Sequence, residues 1–240
     1  MRKRLKWLIP GLAVLLLIAA FLIYVGIFYR ADETALAALA SDETVRISRT
    51  EYGWLFDGPS ETDAMIFYPG AKVEAEAYAP LLRLLAGEGM DVLLAEMPFR
   101  LAVFGSDRAE ELFPQYEYAD WYIGGHSLGG AVAANYAAAH ADRLRGLILF
   151  AAYPSKPLDD SLVVVSVYGS EDGVLNMDKL AAGRAFVPGP YYEYAIDGGN
   201  HGQFGSYGVQ SGDGTARISA EEQRQLAADF IFAHIPGRRQ

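Results

Sequence analysis

The sequence predicts an α/β architecture: a mostly parallel central sheet with helices on both faces, preceded by one N-terminal transmembrane helix. Three observations carry this expectation. Apolar runs of strand length alternate with helix-length segments from residue 44 onward. Several of those runs are continuous, as suits strands covered on both faces. The stretch Trp7–Tyr29 contains no charged residue.

That apolar stretch is 23 residues long, and as a helix it would reach about 34 Å, against a hydrocarbon core of ~30 Å. Pro10 and Gly11 fall near its start, where a helix tolerates them. Arg2, Lys3, Arg4 and Lys6 precede it, which predicts a cytoplasmic N-terminus and an extracytoplasmic remainder. The rival reading is secretion after cleavage at Ala38-Leu39-Ala40, a small-x-small site. The apolar run is longer than the 7–15 residues of a signal-peptide core, and that site lies beyond Arg30, Asp32 and Glu33. The expected layout is a signal-anchor over 1–30, a juxtamembrane linker or short helix over 31–43, and an α/β domain over 44–240.

Thr44–Ser48 and Tyr52–Phe56 read as a strand hairpin, and Ala64–Tyr68 as a central strand stopped by Pro69-Gly70. Tyr78, Leu81, Leu82 and Leu85 recur at helical spacing between Ala75 and Leu85. Val92–Ala95 is a strand, Ala109–Phe113 a brief helix and Trp121–Ile123 a strand. Ala131–His140 reads as a helix, followed by strands at Leu147–Phe150 and Leu162–Tyr168. A weak helix at Asp178–Phe186, a strand at Tyr192–Ile196 and an amphipathic helix at Ala220–His234 close the chain. Pro98 to Tyr118 leaves room for a loop lid.

The composition narrows the function. The chain has 240 residues, 52% hydrophobic and 21% charged, with no cysteine. Disulfides, thiolate metal sites and a cysteine nucleophile are therefore excluded. Four scattered histidines offer no metal-ligand spacing, and no phosphate-binding glycine motif is present; no cofactor is expected. Beyond residue 30 there are 15 basic against 30 acidic residues, a balance that repels nucleic acid.

Gly125-His126-Ser127-Leu128-Gly129 lies between a strand and a helix. This is a nucleophile elbow, a sharp turn that lifts a serine hydroxyl above the sheet edge. Its glycines answer a steric need, because strand and helix approach closely around a strained serine. A serine hydroxyl needs a base, and the base an orienting acid. His201, in the loop Gly198–Gly202 after the last strand, is the expected base. His126 is expected to pack beside the nucleophile, His140 to point away and His234 to be a core or helix-end residue. Asp172, after the strand ending at Tyr168, is the expected acid, with Glu171, Asp178 and Asp197 as alternatives in turn or capping roles. The oxyanion donors are expected at the N–H groups of Leu128 and Ala71, with Gly70 or Lys72 as alternatives to Ala71. Gln203, Tyr207, Gln210 and Asp213 line the pocket, brace the His201 loop or shape a surface loop. Lys72 is a solvated lysine or a contact for an anionic substrate.

Together these segments resemble the alpha/beta-hydrolase superfamily, in particular small, often membrane-anchored bacterial hydrolases distantly similar to dienelactone hydrolases. Tyr68-Pro69-Gly70, Met97-Pro98-Phe99, Ile123 to Gly130, Tyr168 to Gly173 and Gly198 to Gly208 carry the resemblance, as does Gln210 to Gly214, and it spans about residues 44–235. Dienelactone hydrolases use a cysteine nucleophile, which this chain lacks, so their substrate is not carried over. The resemblance implies a triad of Ser127, Asp172 and His201 that hydrolyses an ester or related acyl bond of a small-molecule or lipid-like substrate. Acyl transfer to a cell-surface acceptor uses the same residues, and a non-catalytic binding role is the third reading.

Overall fold

A computed structural model describes the backbone of residues 2–236 and the side chains of residues 10–236. The chain opens with helix α1 (Arg2–Gly26) and short helix α2 (Glu33–Ala37). Strands β1 (Arg46–Thr50), β2 (Gly53–Asp57) and β3 (Asp63–Tyr68) follow, then α3 (Ala79–Gly87), β4 (Asp91–Ala95) and α4 (Arg108–Leu112). β5 (Asp120–His126) leads into α5 (Leu128–Ala139), followed by β6 (Gly146–Phe150) and β7 (Val163–Gly169). The last elements are α6 (Met177–Gly183), β8 (Tyr191–Ile196) and α7 (Ala220–His234).

The strands form one sheet of eight in the order β1-β2-β4-β3-β5-β6-β7-β8. The β1–β2 and β2–β4 pairs are antiparallel, and all the others are parallel. The alternation of side chains along each strand sends residues to two faces. Met65, Phe67, Val92, Leu94, Ile148 and Val165 pack with Leu81, Leu82 and Leu85 of α3 and Ala227 and Ile231 of α7. Their neighbours Ala64, Ile66, Leu93, Ile123, Leu147 and Val164 pack with Ala109 and Leu112 of α4 and Val132, Ala133 and Ala137 of α5. Each fully buried leucine of α3 contributes about 1.5–3 kcal/mol, so the two-sided core explains the continuous apolar runs.

The sheet topology places a crevice. From β3 the chain crosses to α3 on one face, and from β5 it crosses to α5 on the other. β3 and β5 are neighbours in register, with Tyr68 opposite Gly125. Two adjacent parallel strands whose connections diverge leave a cleft at their C-terminal ends, where ligands bind in open α/β sheets.

Some elements differ from expectation. The helical pattern expected at Ala75–Leu85 is a 3-10 turn over Ala75–Tyr78 followed by α3, because Pro80 cannot donate within a continuous helix. α5 starts at Leu128, three residues before the expected Ala131, since Ser127 itself is the N-cap.

The apolar N-terminal run predicts a helix to Tyr29, but α1 ends at Gly26. Tyr29 instead forms a parallel bridge to Val73. Its N–H donates to the Lys72 carbonyl at 2.7 Å, and its carbonyl accepts the Glu74 N–H at 2.9 Å. Among the described residues no helix is long and apolar enough to cross a membrane. The side chains of Arg2, Lys3, Arg4, Lys6 and Trp7, on which part of the membrane expectation rests, lie outside the described residues, as do residues 237–240 of the expected catalytic domain. The 31–43 segment carries α2, capped by Asp32, whose carboxylate accepts the Ala35 N–H at 2.9 Å. Arg83 of α3 donates to the carbonyls of Ala38 and Ala40 and to the Asp42 carboxylate.

Candidate active site

Ser127 stands where β5 turns into α5, at φ 54°, ψ −123°. That left-handed conformation is strained for a residue with a side chain and persists only where its surroundings impose it. The imposition is visible on both sides. A Cβ on Gly125 would lie 2.4 Å from the Tyr68 carbonyl oxygen, and one on Gly129 would lie 2.1 Å from the same atom. The Ser127 N–H is held by the Phe150 carbonyl at 2.9 Å. Glycine at these two positions lets β5, α5 and the end of β3 meet at one point.

His201 and Asp172 are brought together from loops 29 residues apart. His201 Nδ1 lies 2.8 Å from Asp172 Oδ2, with side-chain exposures of 1% and 0%. Asp172 follows β7 on a turn in which its own N–H bonds Gly169. Its other oxygen accepts the N–H groups of Val174 (2.8 Å) and Leu175 (2.7 Å), so the carboxylate is fixed with one oxygen left for the imidazole. A carboxylate can only accept from Nδ1–H, which leaves Nε2 of His201 as the basic nitrogen. Among the described residues, Nε2 is buried without a hydrogen-bond partner. His201 and Ser127 line the same cavity of about 240 Å³, with Leu128, Ala131, Ala152 and Leu175. Among the described residues, three larger clefts, about 520, 500 and 470 Å³, contain neither residue.

The His201 loop is held by residues far along the chain. Asp213 accepts the N–H groups of His201 (3.1 Å), Gly202 (2.8 Å) and Gly173 (3.2 Å), joining the histidine loop to the acid turn. Gln223 of α7 accepts the Asn200 N–H at 2.9 Å and donates to the Asn200 carbonyl at 2.8 Å. Asp213 was among the residues that the sequence offers as braces; Gln223 has no sequence signal, since it reads as one polar residue of an amphipathic helix.

The loop after β3 supplies the opposite wall. The Gly70 N–H is taken by the Tyr78 hydroxyl (3.1 Å), and the Lys72 N–H by the Arg100 carbonyl (2.8 Å). Among the described residues the Ala71 N–H between them has no hydrogen-bond partner. The Leu128 N–H, first in α5, has no acceptor within its own helix. Lys72 places its ammonium 4.2 Å from the centre of the Tyr24 ring.

His126 is a buried part of the elbow. Its Nε2 lies 3.0 Å from the His201 carbonyl oxygen and its Nδ1 2.8 Å from the Tyr78 hydroxyl. Burial, reinforced by the neighbouring His201, holds its pKa well below the ordinary imidazole value. The other candidates lie elsewhere. Glu171 and Asp197 pair with Arg217, Asp178 is in the first turn of α6, and His140 sits 3.8 Å from Glu110. His234 Nδ1 bonds the Phe230 carbonyl in α7. Tyr207 donates to Gln210 at 2.8 Å, and Gln203 to the Ile218 carbonyl at 3.2 Å. Among the described residues no group of three or more His, Asp or Glu side chains is placed to hold a metal ion.

A strained serine stands between a parallel strand and a helix, and His201, paired with buried Asp172, lines the same cleft. The sequence model of the alpha/beta hydrolase family matches residues 64–225, and the chain belongs to that family. No curated protein matches the sequence. Solved structures of the same fold include Est1E from Butyrivibrio proteoclasticus, at 15% identity and TM-score 0.57, covering 81% of this chain and 100% of that one. The carboxylesterase CesB from Bacillus subtilis matches at 9% identity and TM-score 0.57, covering 86% of this chain and 96% of its own. A membrane phospholipase A described as a bacterial virulence factor matches at 13% identity and TM-score 0.58, covering 97% and 100%.

Proposed function

We propose that the chain is a serine hydrolase of carboxylic esters, working through Ser127, His201 and Asp172. One observation carries the reading: the 2.8 Å contact between buried His201 and Asp172 leaves His201 Nε2 unpartnered in the cavity that Ser127 lines. Ser127 Oγ attacks the ester carbonyl carbon as His201 Nε2 takes its proton. The tetrahedral oxyanion is held by the N–H groups of Leu128 and Ala71. Collapse breaks the bond to the alkoxy group, which leaves with the proton from His201, and Ser127 remains acylated. A water then gives its proton to His201 and attacks the acyl carbon; the serine oxygen departs, recovers the proton and frees the acid. Asp172 holds the imidazole in the required tautomer and stabilises its cation. The family and its esterase neighbours support this class of reaction.

We also propose that residues 1–30 anchor the protein to a membrane, with the domain from residue 44 extracytoplasmic. The charge-free run after a basic cluster supports this placement, and so do the exposed leucines of α1. Protease protection of right-side-out vesicles tests it; a full-length protein in the soluble fraction overturns it.

Turnover of p-nitrophenyl acetate and labelling by a fluorophosphonate probe test the catalytic reading. Wild type should do both and Ser127→Ala neither. Equal labelling of the two proteins overturns the assignment of the nucleophile.

A further inference from the structure

The exposed apolar surface of α1 continues onto the loop from Phe99 to Phe104. Leu15, Leu16, Leu17 and Ile23 are exposed along the helix. Near its C-terminal end, Phe21 meets Phe99 edge-on at 5.4 Å and Phe104 at 6.0 Å, and those two rings meet at 5.8 Å. Phe99 is 49% exposed, and Val103 and Phe104 are each 53% exposed. A contiguous apolar surface of this kind on a folded domain marks a contact with something apolar.

The edge of that surface is chemically distinct. Lys72 lies over the Tyr24 ring at 4.2 Å, and Arg100 over the Phe28 ring at 3.5 Å, with Arg30 at 5.3 Å from the same ring. Aromatic rings beside cations, bordering an apolar surface, match the headgroup level of a membrane that carries anionic lipid. This charge pattern distinguishes a lipid partner from a second protein surface, whose apolar centre would not need a cationic edge.

The same residues reach the site through the backbone. The Lys72 N–H bonds the Arg100 carbonyl at 2.8 Å, and Lys72 follows Ala71, whose N–H has no partner among the described residues. Lys72 also accepts from Tyr29, the first residue to pair with the domain after α1. The 99–104 loop, the end of α1 and the expected oxyanion loop are therefore one connected unit.

We propose that Phe99, Val103 and Phe104, together with the exposed side of α1, seat on an anionic lipid surface, so that the site takes esters dissolved in that lipid. The substrate class rests on the ester-hydrolase reading; the lipid contact does not. Nor does the contact require α1 to cross the membrane.

The chain has no cysteine, so a single introduced thiol reports on one position. Full-length Phe104→Cys, labelled with an environment-sensitive nitrobenzoxadiazole maleimide, is mixed with phosphatidylcholine–phosphatidylglycerol vesicles. Its emission should rise and shift to the blue. The same dye on Glu61→Cys, in the turn before β3 at the other end of the parallel strands, should not change. No shift at position 104 overturns the proposal. So does a shift that needs no vesicles and grows with protein concentration, which assigns the surface to a second copy of the chain. The substrate class is tested with unlabelled Val103→Ser/Phe104→Ser. Turnover of tributyrin in vesicles should fall about tenfold, as expected for losing two membrane-facing apolar side chains, while p-nitrophenyl acetate turnover stays within about twofold. Equal losses on both esters, or none on tributyrin, overturn it. If wild type turns over neither ester, the hydrolase reading fails and the dye shift still decides the lipid contact.

Discussion

The imidazole of His126 donates from Nε2–H to the carbonyl oxygen of His201 at 3.0 Å. A carbonyl can only accept, so Nε2 carries the proton. Neutral His126 then accepts at Nδ1 from the Tyr78 hydroxyl, and the hydroxyl oxygen accepts the Gly70 N–H. One uninterrupted chain of hydrogen bonds thus runs from the loop after β3, through the residue before the nucleophile, to the backbone of the expected base. Its groups are buried, so each lost partner leaves an unsatisfied polar atom.

His126→Phe keeps a ring of similar shape and removes both hydrogen bonds. It should lower kcat about 10- to 100-fold with KM within about threefold, because a misplaced positioning group costs the transition state more than ground-state binding. Stability should fall by about 1–3 kcal/mol for the stranded hydroxyl and carbonyl. Steady-state kinetics with urea melts measure both. A variant that loses stability while kcat stays at the wild-type value would confine His126 to a packing role.

The same residue sets a pH dependence. The folded chain holds the His126 pKa well below its usual value, whereas the unfolded chain titrates near 6.5. Below about pH 6.5 the unfolded state therefore binds a proton that the folded state refuses. The stability is fully present above that value and declines as pH falls below it, by about 1.4 kcal/mol per pH unit. Urea melts at about pH 5 and 7 should show this loss in wild type, and His126→Phe should lack that one-proton share. Equal slopes in the two proteins overturn the assignment.

How much of this was legible in the sequence depends on distance along the chain. β3, β4, β6 and β7 lie within a residue of their apolar runs, because a strand buried on both faces leaves an unbroken trace; β5 runs three residues past Ile123, to His126, through two glycines that carry no apolar signal. The elbow was legible for the same reason: strand, glycines, serine and helix are consecutive. Tyr78, His126 and His201 are 48 and 75 residues apart, and no periodicity links them. Gln223 is likewise fixed only by the docking of α7 beside Asn200. The end of α1 was misread because apolarity alone does not separate a helical residue from Tyr29, an apolar ring on a backbone paired with Val73.

Asp172 has two duties that substitution can separate. One oxygen faces His201, and the other accepts the N–H groups of Val174 and Leu175. Asp172→Asn keeps an oxygen for the turn and loses the charge and the acceptor that fix the tautomer. It should reduce kcat by about 10³- to 10⁴-fold with little change in thermal midpoint. Asp172→Ala should lose activity and a further ~1–3 kcal/mol of stability as both N–H groups lose their acceptor. If Asp172→Asn retains wild-type turnover, the orienting acid lies elsewhere.

The cavity beside Ser127 sets the last expectation. At about 240 Å³ it falls below the ~300–1,000 Å³ of typical small-molecule sites, and Leu128, Ala131, Ala152 and Leu175 give it an apolar lining. A short acyl chain suits that volume, with the alcohol part of the ester directed to the open side. Ala131 lies in the first turns of α5, where a larger side chain would project into the cavity without disturbing the elbow glycines. Ala131→Leu should therefore discriminate against longer acyl groups. One methylene in an apolar pocket is worth about 1–3 kcal/mol, or roughly 10–200-fold, so the kcat/KM ratio of p-nitrophenyl butyrate to acetate should fall at least about tenfold, with acetate turnover little changed. An unchanged ratio would place the acyl group outside this cavity and turn the alcohol side of the ester toward Ala131.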